Sequence, residues 1–158
     1  MSDSDGAAPK EMHPTQAKEH VRKLSSDVFD MVRLQGKVSP AGPATMPSQQ
    51  GEREYSVQHF WSISRLSDRE LTRGFNRLRE ELPKEGWRIT HFGHANSTAR
   101  QLEIAAVHEK DKYSLSAELW VSSSEENAHA SAPKKGRIVF SVGSPTYRTP
   151  KGVDRDNY

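Results

Sequence analysis

The chain has 158 residues, of which 33% are hydrophobic and 28% charged. This length predicts one domain, and the low hydrophobic share indicates that polar segments accompany a small core. Twenty-three basic and 21 acidic residues leave a net charge of +2, which argues against a dedicated nucleic-acid binder. The sequence has no cysteine, which excludes disulfides and thiol nucleophiles, and no stretch has the roughly 18 apolar residues of a membrane-spanning helix.

The first third of the sequence predicts one helix between two irregular segments. Residues 1–14 are rich in Ser, Asp, Gly, Ala and Pro, so we expect a disordered leader. An apolar stripe with helical spacing follows, with Thr15 as the expected N-cap and Gly36 as the expected end. The stripe consists of Ala17, Val21, Leu24, Val28 and Val32. Prolines and glycines in residues 37–54 predict a flexible connector without regular structure.

A strand and a second helix are predicted next. Residues 55–64 alternate strictly between two faces, which is typical of a half-buried strand. The inward set is Tyr55, Val57, His59, Trp61 and Ile63. A capping box from Ser67 to Glu70, with Leu66 and Leu71 as a hydrophobic staple, then predicts the start of a helix. Its buried stripe is Leu71, Phe75, Leu78 and Leu82, and Pro83 with Gly86 ends it.

The second half of the sequence predicts four more strands. These are 87–92, with Trp87, Ile89 and His91 inward, then 102–108, 115–121 and 137–142. Residues 122–136 are of low complexity and predict a flexible hairpin loop, and residues 145–158 predict a loosely attached tail.

Alternation within these strands also predicts which residues pair. If His108 pairs with Tyr113, then Leu102 faces Leu119 and Glu103 faces Glu118. By the same reasoning, the preceding hairpin pairs Ile89 with Leu102 and Arg88 with Glu103.

The order of elements is α-β-α-β-β-β-β. It predicts an α+β two-layer sandwich, in which a mainly antiparallel sheet of about five strands carries both helices on one face. Residues 15–144 would form this single domain. The position of strand 55–64 stays open, because it can lie beside the strand at Trp87 or at another edge of the sheet.

Two surfaces are candidates for partner binding. Arg65, Arg69, Arg73 and Arg77 are four residues apart and form a stripe opposite the apolar face of the second helix. Such a stripe can contact anionic lipid, nucleic acid or an acidic protein, although neighbouring glutamates favour an ordinary solvated face. The second surface is the outer sheet face, where Phe60, Phe92 and Trp120 are predicted to stand among small polar residues. These aromatic rings can stack on sugars or bases, or form a minor core under a covering segment.

Catalytic and metal chemistry have weaker support. His59, His91 and His108 would make a metal site only if their strands were adjacent, and their spacing favours core-edge positions instead. Glu103 and Glu118 are a candidate acid–base pair, but a cross-strand ladder with Arg88 explains them better. The sequence lacks the nucleophile-elbow, phosphate-loop and dinucleotide-binding motifs. We therefore expect no enzyme activity, no cofactor and no metal.

Three segments carry a resemblance to a protein family. HFWSISRLSDREL, LREELPKEGWRITHFG and SLSAELW occur in an order that resembles small lipoproteins and secreted proteins of actinobacteria, over roughly residues 15–150. The resemblance implies export and a lipidated cysteine before a Ser/Asp/Gly-rich leader, and residues 2–10 look like that leader. The signal peptide and the cysteine would belong to a longer precursor. Members of this family have no assigned activity, so the resemblance implies no functional residues.

Two functional hypotheses follow. The first is a non-enzymatic, envelope-associated domain, lipid-anchored in its precursor, that binds a protein or small ligand through its sheet or its arginine stripe. The second is a cytoplasmic or phage-type accessory protein that binds an acidic partner through the stripe.

Overall fold

A computed structural model describes residues 9–96, 101–121 and 136–157 of the chain. It has two α-helices and a nine-stranded sheet, so the predicted α+β class is confirmed. The elements in chain order are β1 (Lys10–Glu11), α1 (Pro14–Val32), β2 (Lys37–Val38), β3 (Ala44–Pro47), β4 (Glu54–Ser64), α2 (Asp68–Glu81), a 3-10 helix (Leu82–Glu85), β5 (Trp87–His94), β6 (Leu102–His108), β7 (Ser114–Trp120), β8 (Arg137–Gly143), β9 (Tyr147–Arg148) and a 3-10 turn (Arg155–Asn157). In this part of the chain, no helix is long and apolar enough to cross a membrane.

The sheet is larger than the sequence predicted. Its order is β1-β9-β4-β8-β7-β6-β5. Strands β9 and β8 pair with one edge of β4, and β2 and β3 pair with its opposite edge. All pairs are antiparallel except β1 with β9. The five long strands match the predicted ones, and the four added strands have two to four residues each. The open question about residues 55–64 is resolved, because β4 lies beside β8 and not beside β5.

Helix α1 follows the predicted stripe but differs at both ends. Its N-cap is His13, whose Nδ1 accepts a hydrogen bond from the backbone N–H of Thr15 at 3.1 Å, and Pro14 occupies the first turn. A proline fits there because its missing N–H would have no helical partner. The helix ends at Val32, where Arg33 adopts the left-handed conformation with φ of 54°. Thr15 is therefore not the cap, and Gly36 lies beyond the helix end.

Helix α2 confirms the strongest local prediction. Ser67 accepts from the backbone N–H of Glu70 and Glu70 reaches back to the N–H of Ser67, so both halves of the capping box are present. These bonds satisfy two donors that a helix start leaves without partners. The predicted stripe is completely buried, and it consists of Leu71, Phe75, Leu78 and Leu82. Gly86 has a φ of 92° and ends the following 3-10 turn, as its lack of a side chain allows.

The core lies between the helices and the inner face of the sheet. One row of inward-facing residues crosses five strands and consists of Trp61, Phe140, Ala117, Ile104 and, at its partly exposed end, Phe92. The rings of Trp61 and Phe140 stack with centroids 4.1 Å apart. Phe29 of α1 contacts Trp61, and the guanidinium of Arg79 of α2 lies 3.9 Å from the ring centre of Phe92. Both helices therefore cover the same face, as predicted.

A β-bulge in β5 overturns part of the predicted alternation. The pairing with β6 shifts between Ile89 and His91, so Thr90 is an extra residue in the strand. An extra residue moves every later side chain to the opposite face. His91 therefore points outward and not into the core, and Phe92 pairs opposite Ile104 on the helix-covered face and not on the outer face.

The pairing between β5 and β6 extends as far as His94 and Leu102. This extension, together with the bulge, changes the register of the hairpin that the two strands form. Ile89 pairs with Ala106 and Arg88 with Val107, so the predicted pairs Ile89–Leu102 and Arg88–Glu103 are wrong. The second hairpin confirms its prediction: Leu102 faces Leu119, Glu103 faces Glu118, and the backbone N–H of His108 donates to Tyr113.

Segments predicted to be irregular add to the sheet. Part of the connector 37–54 forms β2 and β3 against β4. Within the predicted tail 145–158, β9 pairs with β4, Tyr147 is buried, and Arg155 donates to three backbone carbonyl oxygens near the start of β4. Lys10 and Glu11, from the predicted leader 1–14, pair with β9. Most of the predicted loop 122–136 and residues 1–8 lie outside the described residues.

Candidate functional site

The outer face of the sheet carries a row of small side chains that begins at an exposed aromatic ring. Phe60 is 58% exposed, and its register partners across β8, β7 and β6 are Ser141, Ser116 and Ala105. His91 continues the row on β5. With strands about 4.8 Å apart, four spacings make this row about 19 Å long. We call Phe60, Ser141, Ser116, Ala105 and His91 the small-residue row.

Two carboxylates border the small-residue row on one side. Glu103 and Glu118 face each other on β6 and β7, as predicted, and both are half-buried. Glu103 has an oxygen 3.8 Å from Nε2 of His91, and Glu118 accepts from the indole N–H of Trp120 at 3.1 Å. Each carboxylate thus has its own partner on the outer face.

Arg88 does not join these carboxylates. Its guanidinium instead contacts Glu109 at 2.5 Å, in the turn after β6. The predicted ladder of Arg88, Glu103 and Glu118 is therefore wrong in its first member, because β5 pairs with β6 as far as His94 and Leu102, and this register puts Arg88 opposite Val107.

Only two of the three aromatic residues predicted for the outer face lie there. Phe60 is open, whereas Trp120 is half-buried and the guanidinium of Arg137 lies 5.5 Å from its ring centre. Phe92 lies on the opposite face under Arg79, although 37% of it stays exposed. Among the residues that the structure describes, the outer face therefore has one accessible aromatic platform and a second that an arginine partly covers.

The predicted arginine stripe is divided by the structure. Arg69 and Arg73 are exposed on α2, but Arg65 lies before the helix in the left-handed conformation, with φ of 63°. Arg77 is half-buried and donates from Nε and Nη2 to the carbonyl oxygen of Val32. Its charge therefore caps the C-terminal end of α1, where a helix dipole favours a cation. The stripe offers two helical arginines to a partner, and not four.

The three candidate histidines are not brought together. His59 lies on the inner face of β4, His91 lies on the outer face of β5, and the ring of His108 meets Trp87 edge-on at 5.1 Å. Within residues 9–96, 101–121 and 136–157, no group of three potential ligands has the arrangement of a metal site.

His59 instead belongs to a serine–histidine pair that the sequence did not predict. Its Nδ1 lies 2.8 Å from Oγ of Ser25, and its Nε2 lies 2.8 Å from the carbonyl oxygen of Ala41. A carbonyl only accepts, so Nε2 carries the proton and Nδ1 accepts from the Ser25 hydroxyl. Ser25 stands on the apolar face of α1, four residues after Val21 and three before Val28, and this spacing was the available signal.

The contact between Ser25 and His59 resembles that between the nucleophile and the base of a catalytic triad. The group that orients the histidine is here a backbone carbonyl. In hydrolytic triads a carboxylate orients the histidine and stabilises its charged form. Here Ala41 supplies a neutral acceptor, and Ser25 is only 4% exposed in the middle of a helix. The arrangement therefore fits a buried polar anchor that fixes the segment at Ala41 against α1.

A pocket of about 220 Å³ opens beside this pair. Its walls come from α1, from β4, and from β2 with the segment that follows it. The lining residues are Arg22, Ser25, Ser26, Phe29, Val38, Ser39, Ala41, His59 and Trp61. Trp61 is 4% exposed, and its indole Nε1 has no hydrogen-bond partner.

Three buried tyrosines form a separate polar cluster at the sheet end. The hydroxyl of Tyr147 donates to that of Tyr113 at 2.7 Å, and the hydroxyl of Tyr55 donates to the carbonyl of Met12. Burial raises the pKa of Tyr55, Tyr113 and Tyr147 above the usual value of a phenol. The cluster therefore holds three neutral phenols and ties the N-terminal segment to the core.

Comparison with known proteins found no matching family model, no matching curated protein and no matching solved structure.

Proposed function

We propose that the chain is a non-enzymatic binding domain of the cell envelope, and that its outer sheet face binds an uncharged, linear polysaccharide. The observation that carries this proposal is the small-residue row, which starts at the exposed ring of Phe60 and continues across four strands. A flat aromatic ring beside low, hydroxyl-bearing side chains lets an extended chain of sugars stack and form hydrogen bonds.

The charges around this row favour an uncharged ligand. Glu103 and Glu118 stand directly beside it and accept hydrogen bonds, which suits sugar hydroxyls. The same carboxylates would repel the phosphates of a nucleic acid, for which basic contacts dominate affinity. Nucleic acid is therefore a poor match to this face.

The alternative hypothesis, an accessory protein with an acidic partner, has weaker support. Arg77 is engaged with α1, so the stripe presents only Arg69 and Arg73 from its helix. Replacing Arg69 and Arg73 by Gln tests this alternative at low salt against a single-stranded oligonucleotide and anionic vesicles. A loss of binding would favour the alternative, and unchanged or absent binding would remove the stripe from consideration.

The envelope location rests on the resemblance of three sequence segments to secreted actinobacterial proteins. It is tested separately, by fractionating the native cells and detecting the protein with an antibody. Recovery with the membrane or wall fraction would support this part of the proposal, and recovery only with the cytosol would contradict it.

Phe60 and Phe92 make a matched pair for testing the binding proposal. Both are exposed phenylalanines on strands, but they stand on opposite faces of the sheet. The ¹⁵N-labelled protein is titrated with cellohexaose and chitohexaose, two uncharged linear hexasaccharides, while amide resonances are followed by NMR. We expect saturable shifts at Ser116 and Ser141.

The two variants then decide where the sugar binds. Phe60→Ala should weaken binding about tenfold, because a nucleobase gains about 1–3 kcal/mol from an aromatic platform and we expect a sugar ring to gain an amount within this range. Phe92→Ala should leave the affinity unchanged. Equal losses in both variants, or no shift with either saccharide, would contradict the proposal.

A further inference from the structure

We propose that the pocket beside Ser25 and His59 is a binding site for a small apolar carboxylate, such as an aromatic or short-chain aliphatic acid. This site is separate from the outer-face surface, because His59 and Trp61 point to the inner face of β4 whereas Phe60 points outward. The proposal therefore stands or fails independently of polysaccharide binding.

The walls of the pocket set the apolar part of the ligand. Phe29 and Trp61 supply aromatic surface, with ring centres 6.3 Å apart, and Val38 borders the opening with 40% of its surface exposed. The volume of about 220 Å³ is below the roughly 300–1,000 Å³ of sites for drug-sized molecules. The occupant is therefore a single ring or a short chain.

The polar groups of the pocket are fixed before any ligand arrives. Ser25 is 4% exposed and donates its hydroxyl proton to His59, whose other ring nitrogen is held by the carbonyl of Ala41. Ser39 accepts from the backbone N–H of Ser62 at 2.9 Å, which ties the pocket wall to β4. Such prior ordering lowers the conformational entropy that the pocket side chains lose when a ligand binds.

The wall of the pocket contains a tryptophan whose ring is fixed and whose N–H is buried. The indole N–H of Trp61 has no hydrogen-bond partner, although a buried polar group normally has one. The ring of Trp61 is held by stacking on Phe140 at 4.1 Å, so a ring rotation is hindered. The N–H is itself covered by protein atoms, so its resonance reports on the pocket from within the wall.

The charge of the lining selects an anion. Arg22 is the one charged residue among the nine that line the pocket, and no aspartate or glutamate is among them. Its guanidinium contacts Glu19 on the exposed side of α1 at 2.6 Å. An exposed pair of this kind contributes little to stability, so Arg22 can exchange Glu19 for a ligand carboxylate.

The test follows the side-chain resonance of the Trp61 indole by NMR, assigned through its absence in Trp61→Phe. The probes are benzoate and hexanoate, with benzyl alcohol as an uncharged analogue of benzoate. We expect saturable shifts of the Trp61 resonance with both acids and at least fivefold weaker binding of the alcohol. No saturable shift with either acid at 10 mM, or equal binding of the alcohol, would overturn the proposal.

Exposed substitutions separate this binding from damage to the fold. Arg22→Gln should weaken benzoate binding about fivefold, and Glu19→Gln should strengthen it, because the change frees Arg22 from its partner. Lys23→Gln, which replaces an exposed lysine beside Arg22 on α1 that does not line the pocket, serves as the matched control and should not change the affinity. If Arg22→Gln and Lys23→Gln give the same affinity, the proposed role of Arg22 in recognising a carboxylate is wrong.

Discussion

The guanidinium of Arg77 donates to the carbonyl oxygen of Val32 through both Nε and Nη2, at 2.9 and 2.7 Å. Val32 is the last residue of α1, and Arg77 lies in the middle of α2. The contact therefore joins the two helices and satisfies a carbonyl that a helix end leaves without a partner.

Replacing Arg77 should lower stability more than replacing its neighbour on the helix. We expect Arg77→Gln to reduce the free energy of unfolding by about 2 kcal/mol, since hydrogen bonds from a charged donor contribute roughly 1.5–3 kcal/mol. Arg73→Gln, one turn earlier and exposed, should change it by less than about 0.5 kcal/mol. Urea unfolding followed by circular dichroism measures both, and equal values would show that the Val32 contact is not stabilising.

Gly74 allows α2 to pass close to Leu34, so an alanine there should be destabilising. A Cβ at Gly74 would lie 2.5 Å from the Leu34 side chain. We expect Gly74→Ala to cost about 2 kcal/mol by overpacking, although alanine favours helices by about 1 kcal/mol. In a Leu34→Ala background the same change should become neutral or stabilising, which a thermal-unfolding cycle measures.

The matched control for this cycle is Gly42→Ala, because no atom lies within 4 Å of an added Cβ there. It should change stability by less than about 0.5 kcal/mol. A cost for Gly74→Ala that persists in the Leu34→Ala background would disprove the steric explanation.

The buried tyrosines predict a loss of stability at alkaline pH. The pKa of Tyr55, Tyr113 and Tyr147 is raised in the folded state, whereas an unfolded phenol titrates at about 10. Above this pH the unfolded chain binds fewer protons than the folded chain, so the free energy of unfolding falls as pH rises. Below it, the contribution is fully present.

Two measurements check this pH dependence. The contribution of the tyrosines to the urea midpoint should be constant up to about pH 9, and the midpoint should fall steeply above about pH 10. Tyr113→Phe should make that fall shallower, because it removes one of the three groups. In a Tyr158→Phe background, where only these three tyrosines remain, tyrosinate absorbance should rise only as the protein unfolds, and a rise in the folded protein near pH 10 would refute the prediction.

Deleting the extra residue of the β5 bulge should be tolerated, whereas deleting one residue from a central strand should not. Removing Thr90 keeps Ile89 and Phe92 on the inner face, because Thr90 is the extra residue there. We expect a folded protein that loses about 1 kcal/mol, as its hydroxyl no longer donates to Ala105. Removing Ser116 from β7 would turn Ala117 and Leu119 out of the core.

Thermal unfolding of both deletion variants makes the comparison. The chain without Thr90 should give a cooperative transition a few degrees lower, and the chain without Ser116 should give none. Loss of folding in both would mean that the alternation in β5 does not depend on Thr90.

Sequence patterns predicted the elements in which local signals and burial agree. The capping box at Ser67 and the stripe that includes Phe75 specify α2 without help from distant residues. The register between Glu103 and Glu118 followed from a short turn and strict alternation. These features depend on near neighbours in the chain, so the sequence was sufficient for them.

Features that depend on distant partners were not predictable in the same way. The strand at Ala44 forms only because β4 offers an unpaired edge, and Tyr147 is held by contacts with residues far earlier in the chain. The spacing of Arg77 placed it in a solvent-facing stripe. Its contact with the carbonyl oxygen of Val32 depends on where α1 ends in the folded protein, which the local sequence does not indicate. Ser25 and His59 each matched an inward pattern, but their 2.8 Å contact requires the packing of a helix on a strand.

The same bulge has a further consequence for how the molecule meets others of its kind. β5 is the last strand on its side of the sheet in the described part of the chain, so one side of its backbone faces outward. An eight-residue edge of this kind can pair with a strand from another molecule. Thr90 interrupts the regular spacing of those backbone groups, and Arg88 adds a charge beside it. One inserted threonine therefore protects the sheet against edge-to-edge aggregation.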